Sequence, residues 1–94
     1  MELRFVWNIE KARTNLRKHE VSFEEATTVF RDPLEIMSPD IQHSLEEARW
    51  TSIGMSVRHR LLVVFYIQHG ATIRIISARL PTIPERTKYE EGQS

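Results

Sequence analysis

Between Glu47 and Glu85 the chain carries no acidic residue and no lysine, yet it holds five arginines there: Arg49, Arg58, Arg60, Arg74 and Arg79. They sit in three apolar runs of strand character, roughly Glu47 to Ser56, Arg60 to Gln68 and Ala71 to Arg79. Turn signals around Val57-Arg58 and His69-Gly70 part the runs, so they pair as antiparallel hairpins. The arginines are therefore fixed on a sheet rather than scattered along a flexible tail. Planar, permanently charged forks held in place grip an anion such as phosphate through paired hydrogen bonds.

The rest of the chain supplies helices to cover that sheet. Leu3, Phe5 and Trp7 alternate with Glu2, Arg4 and Val6 as a first strand. Asn8 caps a helix running to about His19, with Ile9, Ala12, Leu16 and His19 on its inner face. Ser22 and Glu25 have the spacing of a capping box for a second helix, whose buried stripe is Phe23, Ala26 and Phe30 and which Asp32-Pro33 closes. Leu34 to Met37 reads as a short edge strand. Thr82 and Glu85, with Pro84 in the first turn, start a last helix that runs to about Glu91. This order implies an α+β domain in which an antiparallel sheet of about four strands meets two N-terminal helices and a C-terminal one.

Ninety-four residues at 40% apolar content make one domain, 1–94, with room for a single modest core. The formal net charge of zero speaks against a generic nucleic-acid binder. The balance is uneven, however: residues 1–47 hold six Lys/Arg against ten Asp/Glu, and residues 48–94 hold seven against three. A cationic side of this kind still attracts an RNA backbone. With no cysteine, disulfides and thiolate metal sites are excluded. The first residues lack an apolar signal region, and the longest apolar run, Leu61 to Ile67, is too short to span a bilayer, so a soluble cytoplasmic protein is expected.

If the His69-Gly70 turn is a two- or four-residue loop, Arg60 lies opposite Arg79, Val64 opposite Ile75 and Tyr66 opposite Ile73. A similar loop at Val57-Arg58 sets Met55 opposite Arg60 and Arg49 opposite Tyr66, on the same face but about 20 Å away at ~3.3 Å per residue. Like charges directly opposite are destabilising, so an Arg60–Arg79 pair breaks a local rule, as sites often do. The plainer alternative is that each is neutralised by an acid, such as Glu85 or Glu90. The other face, with Trp50, Leu61, Val63, Phe65, Ile67 and Ile76, is expected to pack under the helices. The arginine face also bears Ile53, Met55, Leu62, Val64, Ile73 and Ile75, an apolar area calling for the last helix, the first strand or a protein partner to cover it.

Several strings resemble the BrnT family: Lys18-His19-Glu20-Val21-Ser22-Phe23-Glu24-Glu25-Ala26, Val29-Phe30-Arg31-Asp32-Pro33, Ile53-Gly54-Met55-Ser56 and Ile73-Arg74-Ile75-Ile76-Ser77-Ala78-Arg79. His43-Ser44, Glu47, Arg49, Glu85-Arg86 and Tyr89-Glu90 follow in the same order. The resemblance implies a RelE-like fold, ribonuclease activity that halts translation, and a BrnA antitoxin with a ribbon-helix-helix part as partner. Two positions depart from the family: Glu20 and His59 stand where glycine is usual, so the first helix is expected to lose its αL stop and the turn before Arg60 to be rebuilt.

Metal-independent RNA cleavage needs a base for the ribose 2′-hydroxyl, a cation for the crowded phosphorane and an acid for the departing 5′-oxygen. Arg60 and Arg79 are the expected cations on the scissile phosphate. Arg49 and Arg74, with Lys18, are the expected substrate-binding residues, ranked after that pair because alternation puts one arginine far along the face and the other behind it. For proton transfer the candidates are His43, Glu47 and Tyr89, then Lys18 or His19. Each has a plainer role open to it: His43 as a solvated loop residue, Glu47 as the acid that positions an arginine, Tyr89 and His19 as packing groups. His19, His43, His59 and His69 lack metal-ligand spacing, and the isolated Gly54, Gly70 and Gly92 form no phosphate loop, so neither a metal nor a nucleotide cofactor is implied. A triad of Ser44, His43 and Asp40 would be arbitrary. The competing reading is a catalytically inactive RNA- or antitoxin-binding module in a transcriptional autorepression complex.

Overall fold

The computed structural model describes residues 2–43 and 47–92. In chain order the elements are β1 (Arg4–Val6), α1 (Ile9–His19), α2 (Phe23–Thr27, continued by a 3-10 turn over Thr28–Arg31), β2 (Ile36–Pro39), β3 (Arg49–Met55), β4 (Leu61–His69), β5 (Thr72–Arg79) and α3 (Ile83–Glu91). The sheet order is β1-β5-β4-β3-β2. All neighbours are antiparallel except β1, which runs parallel to β5. The expected sheet of about four antiparallel strands is therefore a mixed sheet of five. The difference is β1: Phe5 and Trp7 pack on the helix side against Phe30 and Phe23, and this docking carries the first strand to the far edge beside the last.

The two faces are covered unequally. Helices α1 and α2 lie on one, where Val21, Phe23, Ala26 and Val29 meet Leu62, Val64, Tyr66, Ile73, Ile75 and Ala78. On the other, Tyr89 of α3 packs on Ile53, Leu61 and Val63, with Ile36 and Phe65 alongside. This inverts the expected assignment, which placed Leu61, Val63 and Phe65 under the two N-terminal helices. The inner stripe of α1 is also shifted: Asn15 is buried while Ile9 and Leu16 are exposed.

Turn chemistry resets β3 against β4. Ser56 N–H donates to the Arg60 carbonyl at 2.9 Å and His59 N–H to the Ser56 carbonyl at 3.0 Å, leaving Val57-Arg58-His59 as a three-residue loop. Such loops close with a residue in the left-handed region, and His59 has φ 62°. Met55 consequently faces Leu61 rather than Arg60. At the next hairpin His69 pairs with Thr72, so the turn is Gly70-Ala71, with Gly70 at φ 58°. Further along, Phe65 faces Ser77 while Tyr66 faces Ile75, so Ile76 is an extra residue on β5, a β-bulge.

Glu20, at φ 59°, terminates α1 in the left-handed region and donates its N–H to the Leu16 carbonyl. The left-handed stop is thus kept, and Glu20 and His59 are the non-glycine residues with positive φ among the described residues. A side chain there costs about 1–2 kcal/mol. Glu20→Gly and His59→Gly are each expected to stabilise the fold by about 0.5–1 kcal/mol, after the greater freedom of glycine in the unfolded chain is counted. That corresponds to roughly 2–8 °C in a thermal melt, and a lower Tm in both variants would reject the strain.

One buried polar residue seals the sheet. β1 pairs only with Thr72, Ile73 and Arg74, leaving the outer edge of β5 open beyond them. There the Asn15 side chain donates to the Ala78 carbonyl at 2.8 Å and to the Val21 carbonyl at 2.9 Å, and accepts from the Ala78 N–H at 3.1 Å. Its amide does for Ala78 what the peptide of a further strand would do, which satisfies backbone groups that burial would otherwise penalise. Among the described residues no helix is long and apolar enough to cross a membrane.

Candidate active site

The bulge decides which arginines share a face. Arg49 pairs with Ile67, and Ile67 with Arg74, so both arginines flank Ile67 and point the same way. Arg79 pairs with Val63, four residues along β4 from Ile67 or ~13 Å at ~3.3 Å per residue, and joins that face because Ile76 shifts the alternation of β5. Arg74, expected behind the sheet, thus stands in front of it. This is the face that α3 covers only at one end.

Arg60 is on the other side. Its Nε and Nη2 donate to Glu25 at 2.8 and 2.6 Å, and Nη2 also reaches the Glu20 carbonyl at 2.8 Å. Glu25 does not complete the expected capping box; it accepts instead from Arg60 and from the Ser56 hydroxyl at 2.7 Å, while Ser22 alone caps α2. Its carboxyl is held below the usual range chiefly by the Arg60 hydrogen bonds. Arg79 in turn donates to both Glu85 oxygens, at 2.8 and 3.0 Å, with its guanidinium 5.2 Å from the Phe65 ring centre. The expected Arg60–Arg79 clasp is therefore corrected: the two lie on opposite faces, each bound to its own carboxylate.

Tyr89 and Lys18 also change roles. The Tyr89 hydroxyl donates to Asp32, and burial together with that carboxylate pushes it up to about 12. A phenol so placed is a tether for α3 rather than a proton carrier. Asp32 accepts in addition from the Met55 N–H at 2.7 Å and the Leu34 N–H at 2.9 Å, so one carboxylate joins α3 to the end of β3. Lys18 lines a cavity of about 360 Å³ with Glu10, Asn15, His19, Ile76 and Ser77, apart from the Arg49–Arg74 row.

At the end of the sheet beside that row the titratable groups collect. Glu47 accepts from Arg74 at 2.8 Å through one oxygen and contacts His69 Nε2 at 2.9 Å through the other. Its carboxyl is lowered first by the His69 hydrogen bond and further by the Arg74 charge. Asp40 N–H donates to the Arg49 carbonyl at 2.8 Å, and its carboxylate contacts His43 Nδ1 at 3.1 Å. Of the expected site residues, then, Arg49, Arg74, Glu47 and His43 come to one end of the sheet, and Arg79 lies farther along the same face. His69 escaped the sequence reading. Two positions past Ile67 on the same strand, it was legible only with the turn set at Gly70-Ala71. Ser44 lies outside the described residues, and among the described residues no three His, Asp or Glu side chains converge as a metal would require.

The Arg79–Glu85 pair makes the α3 anchor acid-sensitive. Glu85 is lowered from 4.5 to about 2, first by Arg79, so its contribution is complete above pH 4.5 and is lost as pH falls toward 2. The Tm advantage of wild type over Glu85→Gln is expected to shrink across that window, and a gap that stays constant from pH 5 to pH 2 would contradict the assignment.

A family model described as "Ribonuclease toxin, BrnT, of type II toxin-antitoxin system" matches residues 7–85. Among solved structures the chain is similar to the ribonuclease toxin BrnT of Brucella abortus, known at 1.1 Å resolution, with a TM-score of 0.66 and 19% identity over 85% of this chain and 97% of that one. At that identity the likeness bears on the fold, which is the α+β architecture described above. No curated protein matches the sequence. With its matching segment running from Trp7 to Glu85, the chain belongs to the BrnT family of ribonuclease toxins of type II toxin–antitoxin systems.

Proposed function

We propose that the protein is an endoribonuclease that cleaves RNA without a metal, inhibits translation by doing so, and is neutralised by a BrnA-like ribbon-helix-helix antitoxin laid over the arginine face. The observation that carries this reading is the bulge at Ile76, which gathers Arg49, Arg74 and Arg79 on the face that the helices leave most open. Arg49 and Arg74 hold the non-bridging oxygens of the scissile phosphate, and Arg79 holds a neighbouring phosphate once it leaves Glu85. Guanidinium charge fixed before the reaction stabilises the phosphorane without reorganisation. The 2′-oxygen attacks phosphorus as its proton is removed, the bond to the 5′-oxygen breaks, and His43 protonates that oxygen. The products are a 2′,3′-cyclic phosphate and a 5′-hydroxyl. Leu80 and Ile83, exposed beside Arg79, offer the antitoxin apolar footing.

The test is to incubate purified protein with RNA in excess chelator. Cleavage leaving 2′,3′-cyclic phosphate ends is expected, with protection on adding the antitoxin. Intact RNA from a folded sample would reject the enzyme and assign the chain to the binding-module role.

A further inference from the structure

We infer that His69 is the general base of this cleavage and that Glu47 is the residue positioning it, an inference that rests on the ribonuclease reading above. A carboxylate can only accept hydrogen bonds, so the 2.9 Å contact between Glu47 and His69 Nε2 fixes the proton of the neutral imidazole on Nε2. The lone pair is then on Nδ1, on a side chain 71% exposed and open to substrate. Glu47 is itself restrained, because its second oxygen accepts from Arg74 at 2.8 Å. One carboxylate thus orients an imidazole beside a phosphate-binding guanidinium, and the strand alternation from Ile67 to His69 keeps both on the arginine face.

In the reaction Nδ1 takes the 2′-hydroxyl proton as O2′ bonds to phosphorus. The P–O5′ bond then breaks, and His43, its Nδ1 against Asp40, supplies the proton to the leaving oxygen. The imidazolium formed at His69 is stabilised by Glu47, the part a carboxylate plays behind a catalytic histidine. No oxidant, reductant or further reactant enters. This role makes Glu47 a positioning residue rather than the proton acceptor.

Two measurements test the inference. First, cleavage of an oligoribonucleotide by full-length His69→Ala is expected to fall by about 10²–10⁴-fold, the span of general acid–base catalysis. Imidazole in the buffer should restore part of the rate to His69→Ala and none to Arg74→Ala. A His69→Ala variant that cuts at the wild-type rate, or that is folded yet gains nothing from imidazole, overturns the inference while leaving the ribonuclease reading intact; a wild type that cuts nothing strikes that reading. Second, nitrogen-15 NMR at a pH where the imidazole is neutral is expected to show His69 as the Nε2–H tautomer beyond the excess a free histidine side chain already has, with the added excess lost in Glu47→Ala. A proton on Nδ1 overturns the inference whatever the cleavage assay shows.

Discussion

Arg74→Ala is expected to lower the rate of RNA cleavage about 10²- to 10³-fold while leaving the fold intact. The Arg74 side chain is half exposed, and its charged contact among the described residues is with the equally exposed Glu47. Pairs of this kind contribute little to stability, so Tm should stay within roughly 2–4 °C of wild type. The kinetic effect is large because the guanidinium is aimed before the substrate arrives: Glu47 holds Nη2, and pairing with Ile67 and Val6 fixes the strand. Removing one phosphate contact should also reduce the slope of log affinity against log salt by about 0.7 for single-stranded RNA. A variant that is folded and cleaves at the wild-type rate would remove Arg74 from the phosphate site.

Arg60→Ala is expected to do the opposite, lowering stability by about 3 kcal/mol and catalysis little. The Glu25 side chain is 3% exposed and the Arg60 side chain 31%, so removing the arginine strands a carboxylate that keeps its Ser56 bond and a longer 3.7 Å contact with the exposed Arg58. The estimate sits at the low end of what breaking a buried pair costs, because partial exposure of the site lets water reach it. For a chain of this length the loss corresponds to at least about 12 °C in Tm. The carboxyl, no longer held down by Arg60, should then favour its neutral form, so the variant should recover part of its deficit at acid pH. Assayed well below its melting point, it should cleave within about 3-fold of wild type, since Arg60 faces α2 rather than the open face. A 10²-fold loss in a folded sample would return Arg60 to the chemistry.

Setting these variants side by side shows how far the sequence could be read. Composition and period sufficed for the helices, the three long strands and the Thr82–Glu85 capping box, because each rests on contacts within a few residues. Of the acid-free arginine stretch, Arg49, Arg74 and Arg79 do lie on strands of the sheet. What failed was parity. Val57-Arg58-His59 is a loop of odd length, the Gly70-Ala71 turn lies one residue beyond where it was read, and Ile76 adds a residue to β5. The odd-length loop and the extra residue each exchange the faces of the residues they displace, since side chains alternate with a period of two, whereas the one-residue move of a two-residue turn slides the register by two and keeps the faces. Nothing local to Arg60 or Arg79 announces which side either occupies; Glu25 and Glu85, 35 and 6 residues away, decide it. Parallel pairing of β1 with β5 was hidden for the same reason, as its partners come from the two ends of the chain.

The extra residue at position 76 has an evolutionary corollary. Because it serves by its presence rather than by its side chain, substitutions there should be tolerated far better than a one-residue deletion, which would send Arg74 or Arg79 to the opposite side without altering either. A homologue that keeps both arginines but loses one residue between them is therefore expected to lack the proposed cleavage activity.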